Sequence, residues 1–568
     1  MHIDIVPNRG SHPTVLLRES YREDGKVRKR TLANLSSLSA SQIEAIRAVL
    51  RGDPLRPAAA TFEIIRSRPH GHVQAVELAM QRLNIASLLG GAASREHDLV
   101  LAMIAARIVA PDTKLATTRL WGTTTLAEDF GVADATEDDL YRAMDWLLAR
   151  QDDIQNKLTS RHLDEGALVL YDLSSSYFEG TTCPLAARGY NRDGKAGKLQ
   201  VNYGLLTDSR GCPVAVSVFP GNTADSVTFL PEVRRLREDF GIEQMVMVGD
   251  RGMISKKAIA EMREADGVQW ITALKSASIR VLVEQQYVQQ GLFDQTNLVE
   301  IESPDYPGER LIACRNEALA KLRAHKRESL LQATEEQLRL IQQRVQAGKL
   351  AGQDRIGVRV GKCVNRYKVA KHFELTITDN AFTFKRNATG IAAEAALDGL
   401  YIIRTSVPDD TLQAGDCVRH YKALSNVERA FRSIKTVDLK VRPIHHRLAN
   451  RVRAHILLCM LAYYVEWHMK EAWREITFAD TELDLKATRD PVAPAKRSQA
   501  ARAKAASKTL ADGSPVHSFA TLMADLATIV RNTCRTPGAD PQAPTFEVLT
   551  TPTVAQARAL DLVRAIAL

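Results

Sequence analysis

Residues 166–178 read GALVLYDLSSSYF, an apolar run of strand length with one carboxylate, Asp172, in its middle. Residues 243–253 read EQMVMVGDRGM, a second short apolar run that ends on Asp250. Between them, KLQVNYGLLTDSRG (198–211) and CPVAVSVFPGN (212–222) predict two strands around an Asp208-Ser209-Arg210-Gly211 turn. DSVTFLPEVRRLREDFG (225–241) then predicts an amphipathic helix capped by Asp225 or Ser226. SKKAIAEMREADG (255–267) predicts a second helix closed by Gly267, and QWITALK (269–275) a fifth strand. Three strands, a helix, a strand, a helix and a strand make a mixed α/β sheet.

On the N-terminal side, VLLRESYREDGKVRKRTLANL (15–35) alternates on both sides of Asp24-Gly25, a strong hairpin signal. It carries Arg18, Arg22, Lys26, Arg28, Lys29 and Arg30, which suit either nucleic-acid contact or a solvated strand face. From about Ser39 to Asn156 the period becomes helical, through Val76, Leu78, Leu83 and Leu88, then Leu99–Ile108 and Leu140–Leu148. Residues 1–160 therefore read as a basic hairpin plus a helical domain, a DNA-binding domain if the hairpin's cations meet nucleic acid. On the C-terminal side, residues 277–396 break the α/β order. They hold strands and a charged helix from about Glu317 to Leu350, and the order resumes at LDGLYIIRTSV (397–407). Helices are predicted over about 411–435 and 447–473. Residues 476–515 include an Ala/Lys/Arg/Pro-rich run that reads as a basic flexible linker, and 516–568 as a helical tail.

The chain has 568 residues, 45% hydrophobic and 25% charged, enough for more than one core and too apolar for wholesale disorder. The formal charge is only +9, so the distribution of cations matters more than the sum. The start, MHIDIVPNRGSHP, lacks the apolar segment of a secretory signal, and the apolar stretch 456–465 is too short to cross a bilayer. These features predict a soluble cytoplasmic protein with no membrane partner. The seven cysteines are scattered with no C-x-x-C, which argues against a disulfide scaffold, a zinc ribbon or a redox motif. His445-His446 has no further His/Cys spacing to complete a metal site.

A carboxylate inside an apolar strand is costly to bury unless it is paired or bound to a cation, which singles out Asp172. Asp250 stands at a strand end, where open α/β sheets place their sites, although an Asp there also serves as a cap or turn residue. Both interrupt apolar strands of one sheet, so together they can share a divalent ion. Glu428, in HYKALSNVERAFRSIK (420–435), is the third candidate; its alternative is an i, i+4 surface partner for Arg432. Between Arg419 and Arg453 lie ten Lys/Arg and two acids, nearly the whole net charge of the chain. That density suits phosphate, and one glutamate within it suits a metal ligand.

These blocks resemble the DDE transposases of bacterial insertion sequences, and among them the hairpin-forming group with a Tyr-x2-Arg-x3-Glu-x6-Lys signature. Here the signature reads Tyr421-x2-Leu424-x3-Glu428-x6-Lys435, with Leu where the group has Arg. YDLSSSYF, MVGDRGM, GYNRDGK (189–195), FPGNTADS (219–226) and LDGLYIIRTS (397–406) are similar to further family segments, and the likeness covers about 165–475. The resemblance implies an RNase H-like mixed-sheet core (165–276 and 397–475) interrupted by an α+β insertion domain (277–396). The spans agree: 78 positions separate Asp172 from Asp250, and 178 separate Asp250 from Glu428.

The resemblance also implies Asp172, Asp250 and Glu428 as catalytic metal ligands for two Mg²⁺ per site, with Mn²⁺ as a substitute, and phosphoryl transfer through a DNA hairpin. Tyr421 and Lys435 would hold phosphates. Arg429, Arg432, Arg251 and Arg192 are the further DNA-binding candidates, and Arg419, Arg429 or Arg432 sit near enough on the helix to replace the missing Arg. Trp270 reads first as a strand aromatic, with stacking on a flipped base as the alternative. The implied partners are double-stranded DNA and a second copy of the chain. The competing functions are an RNase H-like nuclease that does not join strands and an inactive DNA-binding repressor.

Overall fold

The computed structural model describes residues 1–9, 11–53 and 62–567. It divides into two compact units, residues 1–68 with 530–550 and residues 69–529 with 551–568.

The first unit opens with a three-stranded antiparallel sheet of β1 (His2–Asn8), β2 (Ser11–Glu23) and β3 (Lys26–Asn34), in that order. Asp24 and Gly25 both take positive φ, 50° and 72°, as a two-residue hairpin of this twist requires. Most of the hairpin's cations are already engaged: Arg18 and Lys29 pair with Asp4, Arg30 with Glu19 and Arg28 with Glu23. A helix over Ala40–Leu50 starts in a Ser39–Gln42 capping box, and β4 follows at Glu63–Pro69.

In the second unit, seven α-helices between Gly71 and His162 pack around Val76, Leu83, Leu88, Leu99, Ile104 and Leu140. The strands β5 (Ala167–Tyr177), β6 (Gln200–Thr207), β7 (Pro213–Pro220), β8 (Met245–Val248) and β9 (Val268–Ala273) come next. Their spatial order is β7-β6-β5-β8-β9. β5, β6 and β7 pair antiparallel, and β8 and β9 run parallel to β5 through crossover helices at Asp225–Glu238 and Lys256–Glu264. β6 is buried along its whole length, because helices cover both faces of the sheet there. Close contact also sets the sequence: a Cβ on Gly204 of β6 would fall within the Tyr171 ring of β5.

The segment 277–396 is only partly a domain of its own. Its strands β10 (Leu298–Ile301) and β11 (Arg310–Arg315) extend the central sheet to eight strands. The rest does have a separate core. Leu331, Leu338, Ile356 and Val360 from helices Glu317–Gln346 and Gln353–Arg366 meet Phe373 and Phe382 of the hairpin β12 (Phe373–Ile377) and β13 (Phe382–Arg386). β14 (Leu400–Thr405) then returns between β11 and β9. The helix expected over 411–435 breaks into Ala414–Lys422 and Leu424–Arg432 and widens into a π turn at Ser433–Val437. Helix Ala449–Ala472 is buried through most of its length, as a central helix is.

Two expectations need correction. Residues 476–515 are not a free linker: the helices Asp484–Thr488 and Gln499–Ser507 form there, and its backbone is tied down by lysines. Lys422 Nζ donates to the Val492 carbonyl at 3.2 Å, and Lys504 Nζ donates to those of Thr477 and Ala479 at 2.8 and 2.7 Å. The tail 516–568 is not wholly helical either, since β15 (Val530–Arg535) and β16 (Phe546–Leu549) join β4 in a three-stranded sheet, in the order β16-β15-β4. No helix among the described residues is long and apolar enough to cross a membrane.

Candidate active site

The register of β5 and β8 places the first two acids. Leu170 pairs with Val248, 78 positions on, and the same offset carries Asp172 to Asp250 just past the end of β8. Successive side chains alternate faces, so the two carboxylates lie side by side on one face of the sheet. Helix Leu424–Arg432 packs over β5 and brings Glu428 to the same place. Asp172, Asp250 and Glu428 all line one open cleft of about 650 Å³, together with Ser174, Tyr190, Arg192, Asp193, Asp225, Arg432, Lys435 and Arg442.

The three acids share one electrostatic field. Burial pushes the Asp172 carboxyl up to about 7; Arg192 pulls against this, and the negative charges of Asp250 and Glu428 add to it. The backbone N–H of Leu173 donates to Asp172 Oδ1 at 2.8 Å, and the Tyr421 hydroxyl donates to Asp250 Oδ1 at 3.2 Å. Glu428 is exposed and has no ion-pair partner among the described residues. An all-oxygen donor set whose three carboxylates have no ion pair among the described residues fits a hard divalent ion, which keeps part of its water and takes few carboxylates. The residues present therefore fit the metal that the sequence implies.

The cationic candidates separate into distinct roles. Arg192 lines the cleft, and its guanidinium bonds both carboxylate oxygens of Asp225 at 2.6 Å. Arg432 lines the cleft with no carboxylate partner among the described residues, whereas Arg429 is exposed on the same helix outside the lining. Arg251 lies in a neighbouring pocket with Tyr401, Tyr421 and Lys422. Lys435 is not free to swing: it is buried, donates to Ser174 Oγ at 3.0 Å and pairs with Asp193 at 2.9 Å. Arg442 pairs with the same carboxylate. Leu424, where the signature has Arg, packs against the main core. Trp270 is 2% exposed inside the sheet, so stacking on a base is ruled out for it.

Two features were missed from the residues alone. Asp193 is the hub that fixes Lys435 and Arg442, and it also accepts the backbone N–H of Tyr177 at 2.9 Å. Its signal is the Asn-Arg-Asp-Gly turn, which looks like any loop until the chain is folded. The second feature is a cationic cleft of about 730 Å³ that shares Arg442 with the acid cleft and adds Arg107, Lys114, Lys440, Arg447 and Arg451. Lys114 is 4% exposed with no ion pair to a carboxylate among the described residues, and burial next to Arg107 lowers its ammonium to about 7.

The Transposase DDE domain family matches residues 168–465, and the N-terminal domain of the IS1634 family transposases matches residues 3–60. No curated protein matches the chain. Among solved structures it is similar to a chain of the piggyBac transposase synaptic complex with hairpin DNA, at 8% identity and a TM-score of 0.35, over 80% of this chain and 77% of that one. A likeness so distant carries no structural argument.

Proposed function

The chain belongs to the transposases with a DDE domain, and from that premise we propose that Asp172, Asp250 and Glu428 are its catalytic acids in cutting and joining DNA at the ends of an insertion sequence. The observation that carries this reading is the convergence of the three carboxylates on one cleft from β5, the end of β8 and the helix after β14. The strand order β7-β6-β5-β8-β9, three antiparallel strands followed by two parallel ones, supports an RNase H-like core.

Asp172, Asp250 and Glu428 would hold two Mg²⁺, with Mn²⁺ as a substitute. When bound, the ions activate the attacking oxygen and offset charge on the leaving oxygen of an in-line phosphoryl transfer. Tyr421 fixes the rotamer of Asp250 through its hydroxyl. Arg432 and the exposed side of Arg192 bind the phosphate flanking the scissile bond, so that positioning and charge do most of the catalytic work. Lys435 and Arg442, which share the Asp193 carboxylate and together keep one net positive charge, set the 189–195 loop at the cleft edge. The attacking groups are water first and then the freed 3′-hydroxyl, which closes a DNA hairpin on the opposite strand. The working assembly is a homodimer holding two element ends.

The test is cleavage of a supercoiled plasmid carrying the element ends, with Mg²⁺ or with chelator, by the wild type and by Glu428→Ala. Metal-dependent breaks with hairpin termini, absent in the variant, are expected. Cleavage without hairpins or joined products would favour a nuclease. Binding with no cleavage by either protein would favour a repressor.

A further inference from the structure

Away from the acid cleft, three ligand-bearing side chains from distant parts of the sequence meet inside the second unit. His162 closes the helix Gln151–His162, Cys212 stands in the turn before β7, and His468 lies on the helix Ala449–Ala472. Among the described residues this is the group of His, Cys, Asp or Glu whose three ligand atoms all lie within 4.8 Å of one another. Cys212 Sγ is 3.8 Å from His468 Nε2 and 4.0 Å from His162 Nε2. We propose that His162, Cys212 and His468 form a structural site for a thiophilic divalent ion, Zn²⁺ by its chemistry.

The geometry supports this in three ways. Tetrahedral zinc, with bonds of about 2.3 Å to sulfur and about 2.05 Å to nitrogen, separates S from N by about 3.5 Å. The two observed separations exceed that by only a few tenths of an ångström. Second, both Nε2 atoms converge on one sulfur, an arrangement of three donor atoms around one point that a shared cation accounts for. A thiolate and a cation satisfy both imidazoles at once. Third, the Tyr464 hydroxyl stands 3.0 Å from His162 Nε2, at ligand-to-ligand distance, where it can take or orient a fourth ligand. Cys212 and His468 are buried, whereas His162 is half-exposed and leaves a route in from solvent.

Binding would replace the Cys212 S–H bond with an S–Zn bond and release the proton to solvent. The ion would clip the end of the helical region to the β6–β7 turn and to the long helix that follows Glu428. The absence of any C-x-x-C hides such a site in the sequence, because its ligands lie 50 and 256 positions apart.

The test uses the full-length protein. Elemental analysis after desalting is expected to find one equivalent of Zn²⁺ in the wild type and in Asp172→Ala, and less than a tenth of that in Cys212→Ser and His468→Gln. Loading with Co²⁺ is expected to give a thiolate-to-cobalt charge-transfer band that Cys212→Ser lacks. His162→Gln, at a half-exposed position, keeps the test decisive if the buried variants do not fold: it should lower zinc retention at least tenfold against a competing chelator. Zinc content equal in the wild type and His162→Gln, or no cobalt–thiolate band in the wild type, would overturn the proposal.

Discussion

At the scale of single residues, the cleft depends on carboxylates with opposite jobs. Asp172 is held partly protonated by burial and by its acidic neighbours, as suits a ligand waiting for a cation. Asp193 instead serves Lys435 and Arg442, both largely buried. Removing one partner of such a group leaves uncompensated charge, typically about 3–5 kcal/mol. Asp193→Asn should therefore lower the free energy of unfolding in urea by that amount, while Asp225→Asn, at a half-buried pair with Arg192, should cost less, about 1 kcal/mol. Equal losses would mean that the Asp193 hub carries no special load. His72 gives a pH-dependent counterpart. Burial, with His70 beside it, holds its imidazole down to about 4, against about 6.5 in an unfolded chain. A depressed imidazole contributes stability that is complete above about 6.5 and is lost as the pH falls toward 4. Between pH 7 and 5.5 the wild type should lose about 1 kcal/mol more than His72→Leu in chemical denaturation, and parallel pH curves would contradict that.

At the scale of elements, the β5–β6 pair shows how packing positions chemistry. Tyr171 and Asp172 are adjacent and point to opposite faces, and the Tyr171 ring rests where a side chain on Gly204 would stand. Gly204→Ala should push Tyr171 and the strand behind Asp172, costing about 1–3 kcal/mol. It should also slow DNA cleavage more than DNA binding, which a melting curve beside a cleavage assay and a binding isotherm would read. Unchanged melting would show that the ring has room to move. The same pair explains what was legible in advance. β5 to β9 could be read because their apolar runs are short, flanked by turn residues and separated by amphipathic helices, and Asp172 and Asp250 because a carboxylate breaks such a run. Glu428 emerged from the density of cations around it. What escaped depended on contacts between distant segments. β4 pairs with a strand more than four hundred residues later, β10 and β11 add themselves to the central sheet, and Asp193 finds its cations only after folding. Composition misled at 476–515, where Lys504, which looks solvated, spends its ammonium on backbone carbonyls, and Lys422 from outside the segment does the same.

At the scale of the whole molecule, the question is whether DNA responds to the total charge or to its placement. A net +9 spread evenly over 568 residues would give weak, diffuse attraction. Many cations are spent inside the protein: Arg419 on Asp416, Lys435 and Arg442 on Asp193, Lys470 on Asp438. Among the described residues Lys114, Lys440 and Arg447 have no carboxylate partner, and they line the cationic cleft that meets the acid cleft at Arg442. Lys114 is the most telling of them, because an ammonium buried without a partner is costly until an anion arrives. A DNA strand running from the acids past Arg442 would supply its phosphates there. Each phosphate contact contributes about −0.9 to the slope of log affinity against log salt concentration. Lys440→Ala with Arg447→Ala should therefore reduce that slope by about 2 and weaken binding of every DNA sequence alike. Lys349→Ala, an exposed cation in the inserted segment, should leave it unchanged. Fluorescence anisotropy titrations from low to moderate salt would decide: equal slopes in the cleft variant and in Lys349→Ala would mean that total charge, and not this cleft, draws DNA to the protein.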